Sequence, residues 1–187
     1  MRKLYLLALS LVIITMVGCG SKKEKPMQVD KDMPETPDST VYGVCGMGTS
    51  MHSLELVTDA GDTLVYTILD SEGDDNFGIV SQVEGGLMAG DKMAVTGHKV
   101  DDELIADKVI NVTSLLGRWT SVDRNFEIEE GGTIHSNVKA ESNPWTSWKI
   151  LNGRLLLNRD TFNIDNLGAD SLLIENNNGI FVFKRQK

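Results

Sequence analysis

Along most of this chain apolar and polar positions alternate with a period of two, and turn residues punctuate the alternation. That pattern puts successive side chains on opposite faces of a strand, so it predicts a β-rich protein. No segment carries the 3.6-residue stripe of a long amphipathic helix. Between residues 41 and 112 the β-prone runs are "VYGVCGM", "HSLELVT", "AGDTLVYTIL", "AGDKMAVTGHKV" and "LIADKVINV". Leu54 and Leu56 flank Glu55 in the second run, and Leu64, Tyr66 and Ile68 share a face in the third. A glycine-rich, irregular stretch, 71–88, separates the third run from the fourth. Ala60-Gly61-Asp62 and Ala89-Gly90-Asp91, each ahead of a run, read as one turn-into-strand device used twice, with glycine free to take positive φ.

After residue 114 the runs shorten: "GRWTSV", "NFEIEE", "TIHSN", "TSWKIL", "RLLLN", "TFNI", "DSLLIE" and "GIFVFKR". Gly131-Gly132, Asn152-Gly153 and Asn176-Asn177-Asn178-Gly179 stand between them as turns, and Asn-Gly between β runs is a strong signal for a type I′ hairpin. Eight short strands joined by hairpins predict an up-and-down meander. Phe126, Ile128, Ile134, Trp148, Ile150, Leu156, Phe162, Ile164, Leu172, Ile174, Phe181 and Phe183 are its candidate core. Which face of each strand turns inward is open at this level, because a one-residue slip of register exchanges the faces.

The first unit, taken as 41–113, resembles an OB-type barrel, with five short strands and a long connection between the third and fourth. Its "GDKMAVTG" phrase, Gly90–Gly97, is similar to the fourth strand of exported OB-like modules. Such a barrel implies binding of oligonucleotides or oligosaccharides. The second unit, 114–187, resembles the small lipocalin-like domains of envelope lipoproteins from Gram-negative anaerobes. The likeness is carried by Gly117-x-Trp119, by Trp148-Lys149-Ile150 ahead of Asn152-Gly153, and by the closing Phe183-Lys184-Arg185. It implies that Trp119 closes one end of the barrel, that Arg185 packs across it, and that Gly117 permits the close approach. The chain is thus expected to be all-β, an OB-like small barrel followed by a lipocalin-like one. The combination also resembles a lipoprotein family that senses copper or surface stress, in reversed order and without its Cys-x-x-Cys. Eight strands enclose only side chains or one small ligand, so a packed core and a ligand cavity both stand open. Trp145, after Pro144 in "AESNPWTSW", and Trp148 are the candidate ligand contacts. For Trp145 the readings are an aromatic wall for a glycan or lipid, or a hydrophobic lid on its own domain.

The N-terminus bears on location. Arg2 and Lys3 precede an apolar run, Leu4 to Val17, that is too short to span a hydrocarbon core and reads as a signal peptide, 1–18. Met16-Val17-Gly18-Cys19 resembles a bacterial lipobox, which implies cleavage before Cys19 and its lipidation with several acyl chains, palmitate among them, enough for stable anchoring. Residues 19–40 then read as a tether: 20–40 have no aromatic residue, many charges and three prolines, Pro26, Pro34 and Pro37. Gly20 in place of aspartate after the cysteine points to the outer membrane. Taking Arg2 and Lys3 from the 18 basic side chains leaves 16 against 27 acidic ones, a balance of −11. That balance opposes nucleic-acid binding, which draws most of its affinity from basic patches. The partners left in view are the membrane, a small apolar or glycan ligand, and another envelope protein.

Chemistry-bearing motifs are sparse. There is no Gly-x-Ser-x-Gly elbow. His52, His98 and His135 lie far apart in sequence with no zinc-type spacing. Glu72, Asp74 and Asp75, with Gly73 and Asn76, lack the order of an EF-hand loop and read as solvated. Once Cys19 carries lipid, Cys45 stands alone and reads as a small buried hydrophobe. Catalysis, a metal and a cofactor are therefore not expected; a non-catalytic binding module, or an interaction protein with packed barrels, is.

Overall fold

The structure is a computed structural model that describes residues 37–70, 80–138 and 142–187. Its first six strands are β1 (Val41–Cys45), β2 (Ser53–Thr58), β3 (Thr63–Thr67), β4 (Gln82–Glu84), β5 (Lys92–Val100) and β6 (Glu103–Asn111). They lie in the order β3-β2-β1-β5-β6-β4, and a parallel pairing of β3 with β6 (Tyr66 opposite Leu104) closes β1, β2, β3, β6 and β5 into a five-strand barrel. This is the Greek-key order of an OB-type barrel. β4 is an addition to that plan: three residues of the irregular stretch run parallel to β6, on the edge that β3 also uses and farther along it. Leu54, Leu56, Met93, Val95, Ala106 and Val109 fill the barrel. Gly61 and Gly90 have φ of +94° and +93°, so both "AGD" phrases turn the chain by the same backbone geometry just ahead of β3 and β5. Cys45 is buried, and its thiol donates to Thr49 Oγ1 at 3.3 Å.

A four-residue helix, α1 (Val112–Leu115), leads out of β6. Asn111 caps it by accepting from the Ser114 N–H at 2.8 Å, while its own amide donates to Asp91 Oδ2 and to the Gly86 carbonyl. Eight strands follow: β7 (Gly117–Thr120), β8 (Asn125–Ile128), β9 (Ile134–Ser136), β10 (Trp148–Leu151), β11 (Arg154–Leu157), β12 (Asp160–Leu167), β13 (Ser171–Asn176) and β14 (Gly179–Arg185). Each pairs antiparallel with the next except β9 with β10, β14 pairs back onto β7, and a single bridge between Thr133 and Ser147 spans the seam left between β9 and β10. The second barrel is therefore up-and-down and nearly closed. Asn152 and Gly153 have φ of +49° and +70°, as a type I′ hairpin requires. One expected core residue differs: in β11 the buried pair is Leu155 and Leu157, and Leu156 faces outward, half-buried. "RLLL" is apolar on both faces, so pairing with β10 and β12, not composition, selects the inner one.

The first barrel seals one end of the second. Ala94, Ile110, Val112 and Leu115 belong to the same apolar cluster as Ile150, Leu155 and Ile164. Polar contacts ring that cluster. Tyr42 Oη donates to the Ile150 carbonyl at 2.7 Å, and the Ser39 N–H and hydroxyl both donate to Asn152 Oδ1. Lys108 Nζ donates to the Ile164 carbonyl at 2.8 Å, and Glu84 Oε2 accepts from the Leu167 N–H at 3.0 Å. These last two contacts bracket a β-bulge of β12 between Ile164 and Asn166, where the ladder to β13 is interrupted and main-chain groups become available.

Burial raises the Glu84 carboxyl above its ordinary 4.5, against the opposing pull of the Leu167 N–H and Lys108. Because the folded value lies above the unfolded one, the linked stabilisation is complete below the unfolded pKa and is lost as pH rises through the folded value. Glu84→Gln keeps an acceptor for the Leu167 N–H and removes the titration. Its urea midpoint should therefore gain on the wild type between about pH 4 and about pH 7. A gap that stays constant or narrows over that range would contradict the assignment.

Candidate functional site

The two ends of the eight-strand barrel are built differently, and the candidate site lies at the end away from the first barrel. At the sealed end Trp119, on β7, has no exposed surface, and its indole N–H donates to the Leu115 carbonyl at 2.9 Å. The Arg185 guanidinium lies over the indole, its central carbon 4.2 Å from the ring centroid. It donates to the carbonyls of Ala169, Leu116 and Ser114. Burial pulls the guanidinium below its usual pKa, opposed by Asp170. It remains charged, since arginine does not give up its proton in proteins. Gly117 has φ of +117°, and a Cβ there would stand 2.8 Å from Arg185 Nη1. Only glycine lets chain and guanidinium meet. Gly117, Trp119 and Arg185 thus form one cluster whose partners are protein groups, and it lies against α1 at the junction of the barrels.

The opposite end is plugged by Trp145. The loop that carries it is stitched down by Asn158, whose Oδ1 accepts from the Thr146 and Ser147 N–H groups and whose amide donates to the Pro144 carbonyl. Asn158 holds this position with φ of +55°, in the left-handed region that asparagine tolerates better than most residues. The Trp145 ring packs edge-on against Phe126 at 5.2 Å and Phe162 at 5.7 Å, and Arg124 covers its other face at 4.0 Å. Only 5% of Trp145 is exposed, so it serves as a lid on its own domain. Trp148 is half-buried, packs on the same core, and donates its indole N–H to the Glu129 carbonyl at 2.8 Å. Neither tryptophan is among the residues lining the clefts described next. Cys19 and the acidic stretch Glu72–Asp75 lie outside the described residues.

Beside the lid is a half-open cleft of about 590 Å³ between the β7–β8 turn and β14. Val122, fully exposed, stands on the turn; Ile180 and Val182, 62% and 56% exposed, stand on β14; Phe181 and Phe183 form the floor. The turn is pinned by Ser121 N–H to the Arg124 carbonyl, 2.8 Å, and by Arg124 N–H to Ser121 Oγ, 3.2 Å. No motif marks this cleft, yet the sequence carries a signal for it. "IFVF" is apolar at four successive positions, so whichever face turns inward, the outer one is apolar too. A second cleft, about 440 Å³, is polar and lies on the barrel wall among Arg154, Asn163, Glu175 and Asn176–Asn178.

The remaining polar groups do not converge. His98 pairs with Asp107 at 2.7 Å, His135 with Glu129 at 3.0 Å and His52 with Asp70 at 3.4 Å, each a separate surface contact. Among the described residues no three His, Cys, Asp or Glu side chains stand close enough to hold a metal ion. Comparison with protein-family models, with curated proteins and with solved structures finds no match for this chain.

Proposed function

We propose that this chain is a lipid-anchored envelope lipoprotein that acts without catalysis, as an interaction protein whose packed barrels present their outer surfaces to another envelope component. The observation that carries the reading is the filled interior of the eight-strand barrel. Trp119, Phe126, Ile150, Leu155, Phe162 and Phe183 are each at most 2% exposed and belong to one contiguous cluster. Side chains buried in one cluster across a barrel of this size support a packed core over a cargo site. Recognition then falls to the outside, where the rim cleft gathers three exposed apolar side chains in one place. The anchor is Cys19, and the outer membrane is its destination. The N-terminal tether would let the barrels stand off the bilayer and reach a partner.

A second reading has one observation in its favour. The volume of the rim cleft lies within the range of about 300–1,000 Å³ usual for small-ligand sites, so a small apolar molecule beside Trp145 is the competing occupant. Native mass spectrometry on the full chain, released from its own envelope extract in mild detergent, separates the two. The interaction reading expects the mass of the acylated chain beginning at Cys19 and nothing more. A discrete additional mass that survives desalting and leaves on unfolding would establish the small-ligand reading in its place. An unacylated N-terminus would remove the anchor.

A further inference from the structure

β14 is paired along its whole length on one side and over only two residues on the other. Against β13 the register runs from Gly179 opposite Asn176 to Lys184 opposite Ser171. Against β7 it covers only Lys184 opposite Thr120 and Arg185 opposite Trp119. The main-chain directions follow from two hydrogen bonds. The Arg185 N–H donates to the Asp170 carbonyl on the β13 side, and the Gln186 N–H donates to the Arg118 carbonyl on the β7 side. Antiparallel strands alternate these directions residue by residue. The N–H and C=O groups of Phe181 and Phe183 therefore serve β13, while those of Ile180 and Val182 face the rim cleft. Continuing the β7 register would set residue 122 opposite Val182. Instead the chain leaves the sheet after Thr120, and Val122 stands fully exposed in the turn.

We propose that the rim cleft is a docking slot for an extended segment of a partner polypeptide, which adds as a short strand to the free edge of β14 at Ile180 and Val182. The proposal rests on the interaction reading above and names the chemistry of the partner. Main-chain groups at both positions supply the hydrogen bonds, and alternate side chains of the guest meet the apolar floor at Phe181 and Phe183. Charge adds direction. The chain as a whole carries −9, yet the inner end of the slot presents the exposed Lys184, so an acidic residue of the guest belongs there. The pinned turn Ser121–Arg124 stands on the side where a further sheet would have to continue. The open edge offers the main-chain groups of only Ile180 and Val182, a length that suits one short extended segment better than the long edge of another barrel.

Hydrogen exchange at single amides of the full chain in mild detergent tests the slot, with the synthetic peptide acetyl-Glu-Val-Thr-Val-Thr-amide as probe, its acidic end at Lys184 when it runs antiparallel to β14 as β7 does. Strand addition predicts saturable slowing by about tenfold or more at the Ile180 and Val182 amides and no change at Phe181 and Phe183, which are already bonded to β13. Val182→Pro deletes an N–H that faces the slot and no bond to β13, so it should abolish the effect; Val182→Thr, which keeps the N–H, should preserve it. No binding, or slowing without the alternation, overturns the docking proposal and leaves the interaction reading to its own mass measurement. Decanoate protecting the cleft where the peptide does not overturns both.

Discussion

Trp119→Ala should cost the fold about 4 kcal/mol, among the largest penalties any single side chain here can impose. Three losses add at that site. A completely buried indole leaves a cavity at the junction of the barrels, where Leu115 and the wall of the eight-strand barrel have little freedom to close on it. The Leu115 carbonyl loses its indole donor, and Arg185 loses the ring beneath its guanidinium. Urea unfolding followed by circular dichroism measures the total, and a cost under about 1.5 kcal/mol would show that the closing cluster carries little of the fold. A double-mutant cycle with Arg185→Met isolates the stacking. The coupling should be about 0.5–2 kcal/mol, the range for a partly desolvated cation over an indole. Additive single effects would mean that Arg185 works only through the three carbonyls it binds.

Trp145→Ala attacks the other end and should cost about 3 kcal/mol. The indole fills the open mouth against Phe126 and Phe162, so its removal leaves an apolar void. Two features hold the penalty below that at Trp119. The loop ends at the rim and can settle inward, and the described structure gives the Trp145 indole N–H no acceptor whose loss would add to the cost. The void supplies its own test. Indole added at millimolar concentration should raise the unfolding midpoint of Trp145→Ala and leave the wild type unchanged, because an apolar cavity of matching shape binds the fragment that was removed. No response in either protein would mean that the loop refills the mouth by itself. A wild-type barrel that takes up indole would be one with room for cargo, against the packed-core reading.

How much of this was legible depends on the length over which each signal extends. Gly117, Trp119 and Arg185 are separated by up to 68 residues, and no local rule joins them; the resemblance to a lipocalin-type closure did, and the geometry brings them together. The Trp145 lid was one of two readings of a proline-led loop, and it needed Asn158, thirteen residues downstream and outside any motif, to be fixed in place. The rim cleft went unread because it is a mismatch of lengths. β14 runs six residues against β13 and only two against β7, and strand ends are set by pairing partners, not by the strand's own residues.

By itself the sequence determined the all-β class, the two-barrel organisation and the type I′ hairpin at Asn152-Gly153, because period-two alternation and left-handed turn residues act within a few positions of the chain. Tertiary structure decided the rest. It chose Leu155 and Leu157 over Leu156 for the core and added β4 along the edge of β6. It also seated the first barrel on the β12 bulge and left the edge of β14 open. The physical reason is common to all four: a strand's own residues specify that it alternates, and only its neighbours specify register, inner face and where pairing stops.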